Sequence, residues 1–126
     1  MEMILYLPRQ YKSGTDLIKM IRSAVLDQHL EIFSSIDDLS ERLHEPMLDV
    51  SVALFCAINQ QELQKLIDLH DLIGDLKIVL VLPDNRKNMM EKAHLLRPRF
   101  IASSQSDFKH LGDVIGKMMK VYDGKK

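Results

Sequence analysis

The sequence predicts an α/β domain in which five parallel strands, each followed by a helix, form one doubly wound sheet between two helical layers. Three observations carry this expectation. Short apolar blocks alternate with longer segments of helical spacing along the whole chain. Two of those blocks, residues 50–58 and 78–82, are apolar almost throughout, as strands covered by helices on both faces must be. The 126 residues, 46% of them apolar, suffice for one core, and no Gly/Ser linker or repeat divides them. Residues 1–126 are therefore expected to fold as one domain with no output domain attached.

The elements follow in order. Met3, Ile4, Leu5, Tyr6 and Leu7 make the first strand, stopped by Pro8. Leu17, Ile18, Ile21, Ala24 and Val25 recur at helical steps, with Asp16, Lys19 and Arg22 opposite, and predict an amphipathic first helix. Residues 30–34 form a short second strand whose brevity and flanking charge suit a sheet edge. Ser35, three residues before Asp38, caps a helix with Leu39 and Leu43 inward that ends before Pro46. Residues 50–58 are the expected sheet centre. Asn59 caps the next helix with Glu62 at the third position, and Leu63, Leu66, Ile67, His70 and Ile73 line its inner face up to Gly74. After the fourth strand, ended by Pro83, Asp84 or Asn85 caps a helix carrying Met89, Met90, Ala93 and Leu96 and closed by Pro98. Phe100, Ile101 and Ala102 form a fifth strand. Phe108, Leu111, Ile115, Met118, Met119 and Tyr122 mark the last helix. Right-handed crossovers leave few ways to wind five such units, and the flavodoxin-like order 2-1-3-4-5 is the expected one.

Charge and composition exclude several classes of function. Seventeen basic against 18 acidic side chains give a net charge of −1, so no whole-molecule field attracts nucleic acid or an anionic membrane. No apolar stretch approaches a spanning length and Met1 is followed by Glu2 rather than a basic leader, so a cytosolic protein is expected. The single cysteine, Cys56, cannot close an intramolecular disulfide. None of the five histidines stands three or four residues from another, so neither a metal nor any other cofactor is expected.

In such a sheet, ligands bind where the strand carboxyl ends meet helix amino termini. This rim would collect Arg9 and Lys12 after strand one, Ser34 and Ser35 after two, Asn59 after three, Asp84, Asn85 and Arg86 after four, and Ser103 and Ser104 after five. It is rich in amides, hydroxyls and bases, with Asp84 its one obvious carboxylate.

Over essentially its whole length, in strand order and apolar pattern, the chain resembles the receiver domain of two-component response regulators. That resemblance implies an acidic pair after strand one holding magnesium, an acceptor aspartate ending strand three, a Ser or Thr ending strand four and a Lys ending strand five. Here those places are taken by Leu7-Pro8-Arg9-Gln10, Ala57-Ile58-Asn59, Leu82-Pro83 and Ala102-Ser103-Ser104. Magnesium needs hard oxygen ligands, and an aspartyl phosphate needs a carboxylate to form on. Asp49 precedes strand three and so belongs to the opposite edge of the sheet. The expectation is a receiver-like domain without phosphoryl chemistry, a pseudo-receiver.

Other motifs carry less. Residues 112–117 (Gly-Asp-Val-Ile-Gly-Lys) have one residue too few between glycines for a phosphate loop and Met118 where a hydroxyl is needed, so small residues for close helix packing are the expected meaning. His70 is expected to be a hydrogen-bonded, partly buried imidazole, and Cys56 a neutral core thiol. No nucleophile, base or acid pair is evident, so no catalytic residue is expected. Among eight methionines, Met89, Met90, Met118 and Met119 gather on the last two helices; core filling is their default meaning, but adjacent pairs cannot both point inward, so one member of each is expected nearer the surface, where receivers form dimer and partner contacts. The leading expectation is therefore a protein that works by contact with a partner protein or a second copy in bacterial signalling or regulation. Its interface would involve Met89, Lys92, Leu96, Phe108, Met118, Met119 and Tyr122. The alternative is a small-ligand or anion sensor using Arg9, Lys12, Asn59, Asn85 and Ser103.

Overall fold

The computed structural model describes residues 2–11, 14–24, 30–46, 50–74, 76–83, 86–103 and 108–123. Its strands are β1 (Glu2–Tyr6), β2 (Leu30–Phe33), β3 (Val50–Cys56), β4 (Lys77–Val81) and β5 (Phe100–Ala102). They pair in parallel, in the order β2-β1-β3-β4-β5 that the crossover rules selected. The helices are α1 (Gly14–Ala24), α2 (Ile36–Leu43), α3 (Gln60–Ile67), α4 (His70–Ile73), α5 (Lys87–Ala93) and α6 (Phe108–Asp123), with a 3₁₀ turn over His94–Leu96 after α5. No helix among the described residues is long and apolar enough to cross a membrane.

Strand pleating divides the apolar residues into two cores. Met3, Leu5, Val52, Leu54, Cys56, Val79 and Val81 face one side, where Leu17 and Ile21 of α1 and Leu111 and Ile115 of α6 cover them. Ile4, Tyr6, Ala53, Phe55, Ile78 and Leu80 face the other, under α2, α3, α4 and α5. Both faces of β3 are thus covered, which is why residues 52–57 are buried without a polar alternation. On the first side α1 and α6 approach closely at Gly112, where a Cβ would stand 2.9 Å from Met20 Sδ. Close packing is therefore what that glycine of the 112–117 segment provides.

Two helices depart from the expected outline. The expected third helix breaks at Asp68 and Leu69, and Leu69 takes φ −90°, ψ 3° as α4 begins. This turn rephases the chain, so that Leu69 packs against the core and His70 is exposed. His70 keeps the expected hydrogen bond, its Nδ1 lying 2.9 Å from Ile67 O, but is exposed rather than partly buried. Exchanging it for leucine on the apolar side is the favourable choice. The expected fourth helix tightens into the 3₁₀ turn and ends on Arg97, in the left-handed region at φ 51°, ψ 53°, immediately before Pro98. Proline disfavours the right-handed helical conformation in the residue before it.

Candidate functional site

The carboxyl rim is closed by backbone pairing that continues past the strands. Leu7 N–H donates to Phe33 O at 2.8 Å, Ala57 N–H to Val81 O at 2.9 Å and Leu82 N–H to Ala102 O at 2.8 Å. Leu7, Pro8, Ala57 and Leu82 are all buried, so the floor of the rim is apolar. Just past the ends of β1 and β3, Leu7, Pro8, Arg9 and Ala57 offer no carboxylate oxygen. These side chains do not fit a hard divalent cation. Among the described residues, no three His, Cys, Asp or Glu side chains come together as a metal cluster.

Two helix caps were legible in the sequence. Ser35 Oγ accepts from Asp38 N–H at 3.1 Å, and Asn59 Oδ1 accepts from Glu62 N–H at 2.8 Å. Each helix start therefore has one of its free amides satisfied, and the oxygen of Asn59 is already engaged. Asp84 and Asn85, expected to cap the next helix, lie outside the described residues, and Arg86 occupies the cap position of α5 with no side-chain cap hydrogen bond.

A polar pair that the sequence did not reveal stands at the rim. Tyr6, the last residue of β1 and only 2% exposed, donates its hydroxyl hydrogen to Glu62 Oε1 at 2.5 Å. Burial first, and the neighbouring Glu62 carboxylate second, push the Tyr6 hydroxyl well above its ordinary pKa, so it remains a donor. The pair lines a cavity of about 290 Å³ together with Gln10, Ser34, Asp37 and Lys65. Glu62 and Asp37 correct the expectation that Asp84 is the rim's one obvious carboxylate. Both come from the first turns of helices and overhang the strand ends, which a reading of the loops alone overlooks. On the α1 side, Tyr11 is half-buried and its hydroxyl is pushed up to about 12, chiefly by burial. Cys56 is fully buried and burial raises its thiol, so it is a neutral core residue.

Three of the five residues expected at the anion site, Arg9, Asn59 and Ser103, are described. Asn59 lines a separate cavity of about 260 Å³ with Ile58, Gln60, Pro83, Arg86 and Met89. Arg9 is exposed and Ser103 half-buried, and neither lines either rim cavity. Lys12 and Asn85 lie outside the described residues.

Two residues of the expected partner face are buried instead. Met89 is 2% exposed and Leu96 6%, and both belong to the core under α5. With Ala93 they form one stripe at helical spacing, and a helix lying on a sheet turns such a stripe inward. Met90 and Lys92 are half-buried on α5, and Met118 is half-buried on α6, packed against the core on that side. Phe108, Met119 and Tyr122 fall within α6, and the placement of their side chains lies outside what the structure describes.

Comparison with known proteins agrees with this geometry at the level of fold. A response-regulator receiver domain (CheY-like) from Methanospirillum hungatei superposes with a TM-score of 0.72 at 11% identity, over 100% of this chain and 99% of that one. The Mn²⁺-bound form of the response regulator Rcp1 gives 0.64 at 11% identity, over 97% and 94%. A protein of Burkholderia pseudomallei, provisionally described as pilus assembly-related, gives 0.66 at 16% identity, over 93% and 88%. The chain has the receiver fold. No protein-family model and no curated protein matches its sequence.

Proposed function

We propose that this receiver-like chain acts by protein–protein contact in bacterial signalling or regulation, without phosphoryl transfer. The observation that carries the proposal is the apolar and basic filling of the rim, Leu7-Pro8-Arg9 beside Ala57, where an acidic cradle would be needed. A carboxylate is the group on which an acyl phosphate forms, and nothing at these positions supplies one. The contact part of the reading is supported by the fold, since receivers commonly signal through the helices flanking the last strand. One structural neighbour carries a pilus-assembly description, which recommends components of such an assembly as the first partners to try.

Incubation with acetyl phosphate and magnesium followed by intact-mass measurement tests the first half: unchanged mass is expected, and a covalent phosphoryl adduct overturns it. Light scattering tests the self-association form of the second half. Met119→Glu combined with Met90→Glu should convert a dimer to a monomer, and an unchanged mass counts against that face.

A second reading, a sensor of small polar ligands, is favoured by the rim cavity around Tyr6 and Glu62. A thermal-shift screen of nucleotides and phosphorylated metabolites separates the two, because a ligand bound only by the folded state raises the melting temperature.

A further inference from the structure

The rim cavity around Tyr6 and Glu62 has a volume of about 290 Å³, at the small end of the range for ligand pockets, about 300–1,000 Å³. Of the ten residues that line it, only Pro8, Ile36 and Ile58 are apolar, so polar groups would meet most of an occupant's surface.

Three of the lining residues carry charge. Glu62 stands in the first turn of α3, and Lys65 follows it by three residues, one turn further along the same helix face. Asp37 comes from the first turn of the other helix, α2. Glu62 is the best fixed of the three, because Tyr6, 2% exposed, donates to its Oε1 at 2.5 Å from the end of β1. A carboxylate has acceptor sites to spare after one such bond, and a donor reaching it from the cavity meets a group already oriented. Beside these charges Gln10 and Ser34 supply an amide and a hydroxyl, each able to donate and to accept. Asp37, Lys65, Gln10 and Ser34 are exposed, so all four are within reach of a solute.

The charges narrow the choice of ligand. A phosphate would meet two carboxylates for one ammonium, and a simple amine would be opposed by Lys65. A molecule that carries both an ammonium and a carboxylate gives each charge an opposite one. We propose that the cavity binds a free α-amino acid with a polar side chain, its ammonium held by Glu62 and Asp37, its carboxylate by Lys65 and its side chain by Gln10 and Ser34. Each charged contact is of the charge-assisted kind, stronger than a neutral hydrogen bond. This rests on the second of the two readings above, the sensor of small polar ligands, and names the class of its ligand.

The test is isothermal titration calorimetry of the full chain with L-serine, L-threonine, L-asparagine and L-glutamine. At least one should bind and raise the melting temperature. For the tightest of them, the analogue without the ammonium and the analogue without the carboxylate should each bind about tenfold more weakly. Glu62→Gln keeps an acceptor for Tyr6 and removes the charge, and Lys65→Met keeps most of the stem and removes the ammonium. Each should weaken the amino acid by about tenfold. Lys65→Met should nevertheless bind the analogue without the carboxylate as well as the parent chain does, or better, which a disturbed fold would not allow. Silence from all four amino acids overturns the proposal. So does an analogue that binds as tightly as its amino acid, or a Lys65→Met variant that loses both ligands alike. If a nucleotide or phosphorylated metabolite raises the melting temperature while the amino acids do not, the sensor reading stands and the amino acid falls. If nothing in either screen binds, both fall.

Discussion

At the carboxyl ends of the strands the backbone ladder runs one residue beyond β1, β3 and β4, helix starts are capped by Ser35 and Asn59, and Tyr6 is bonded to Glu62. At the amino ends of β4 and β5 the chain instead leaves Leu95 in water, Arg97 in a left-handed conformation and the side chains of Arg97 and Arg99 exposed. The difference separates two uses of a sheet edge. The rim, where related architectures place their chemistry, is satisfied from within. The far edge leaves Leu95, Arg97 and Arg99 exposed to water.

Both edges hang from the same central strand, and the strongest way to break the comparison is to remove its anchor. Phe55→Ala, at a site with no solvent exposure, should cost about 3–5 kcal/mol. Urea unfolding followed by circular dichroism and by tyrosine fluorescence should show one shared, lowered midpoint. Two separated transitions would mean that the edges are independent units.

Tyr6→Phe sharpens the comparison at the rim. It leaves Glu62 without its donor and should cost about 1–3 kcal/mol in urea unfolding. The tyrosine shifts also fix a pH dependence. Because the folded-state values of Tyr6 and Tyr11 are raised from an ordinary 10.0, the unfolded chain loses those protons first. Their contribution is complete below about pH 10 and declines as alkali is added, through about 12 for Tyr11. Alkaline unfolding monitored by tyrosinate absorbance should therefore be less steep in Tyr6→Phe than in the parent.

The smallest of these effects is expected at the α3 cap, where Asn59→Ala removes the acceptor for Glu62 N–H and should cost about 1 kcal/mol. A loss well above that, measured by the same urea midpoint, would show that Asn59 also holds the Tyr6–Glu62 pair in place.

Much of this could be anticipated residue by residue. The strand blocks, both caps, the inward Leu39 and Leu43, and the neutral buried Cys56 follow from local pattern, and the structure reproduces them. What escaped depends on distant contacts. Tyr6 and Glu62 are separated by 56 positions, and neither a strand-end tyrosine nor a third-position glutamate signals the other. Met89 and Leu96 were expected at a partner surface, and α5 laid on its sheet turns both into the core. His70 depended on a helix break that the periodicity of residues 60–73 does not announce.

The sequence by itself determined the number and order of the strands and their two-sided burial. These are properties of neighbouring residues, set by periodicity, side-chain type and capping. Only the tertiary structure decided which apolar residues stay in water and which carboxylates reach the rim. Both outcomes depend on how helices are phased against the sheet, and that phase is fixed by the joint packing of all the layers rather than by any one segment.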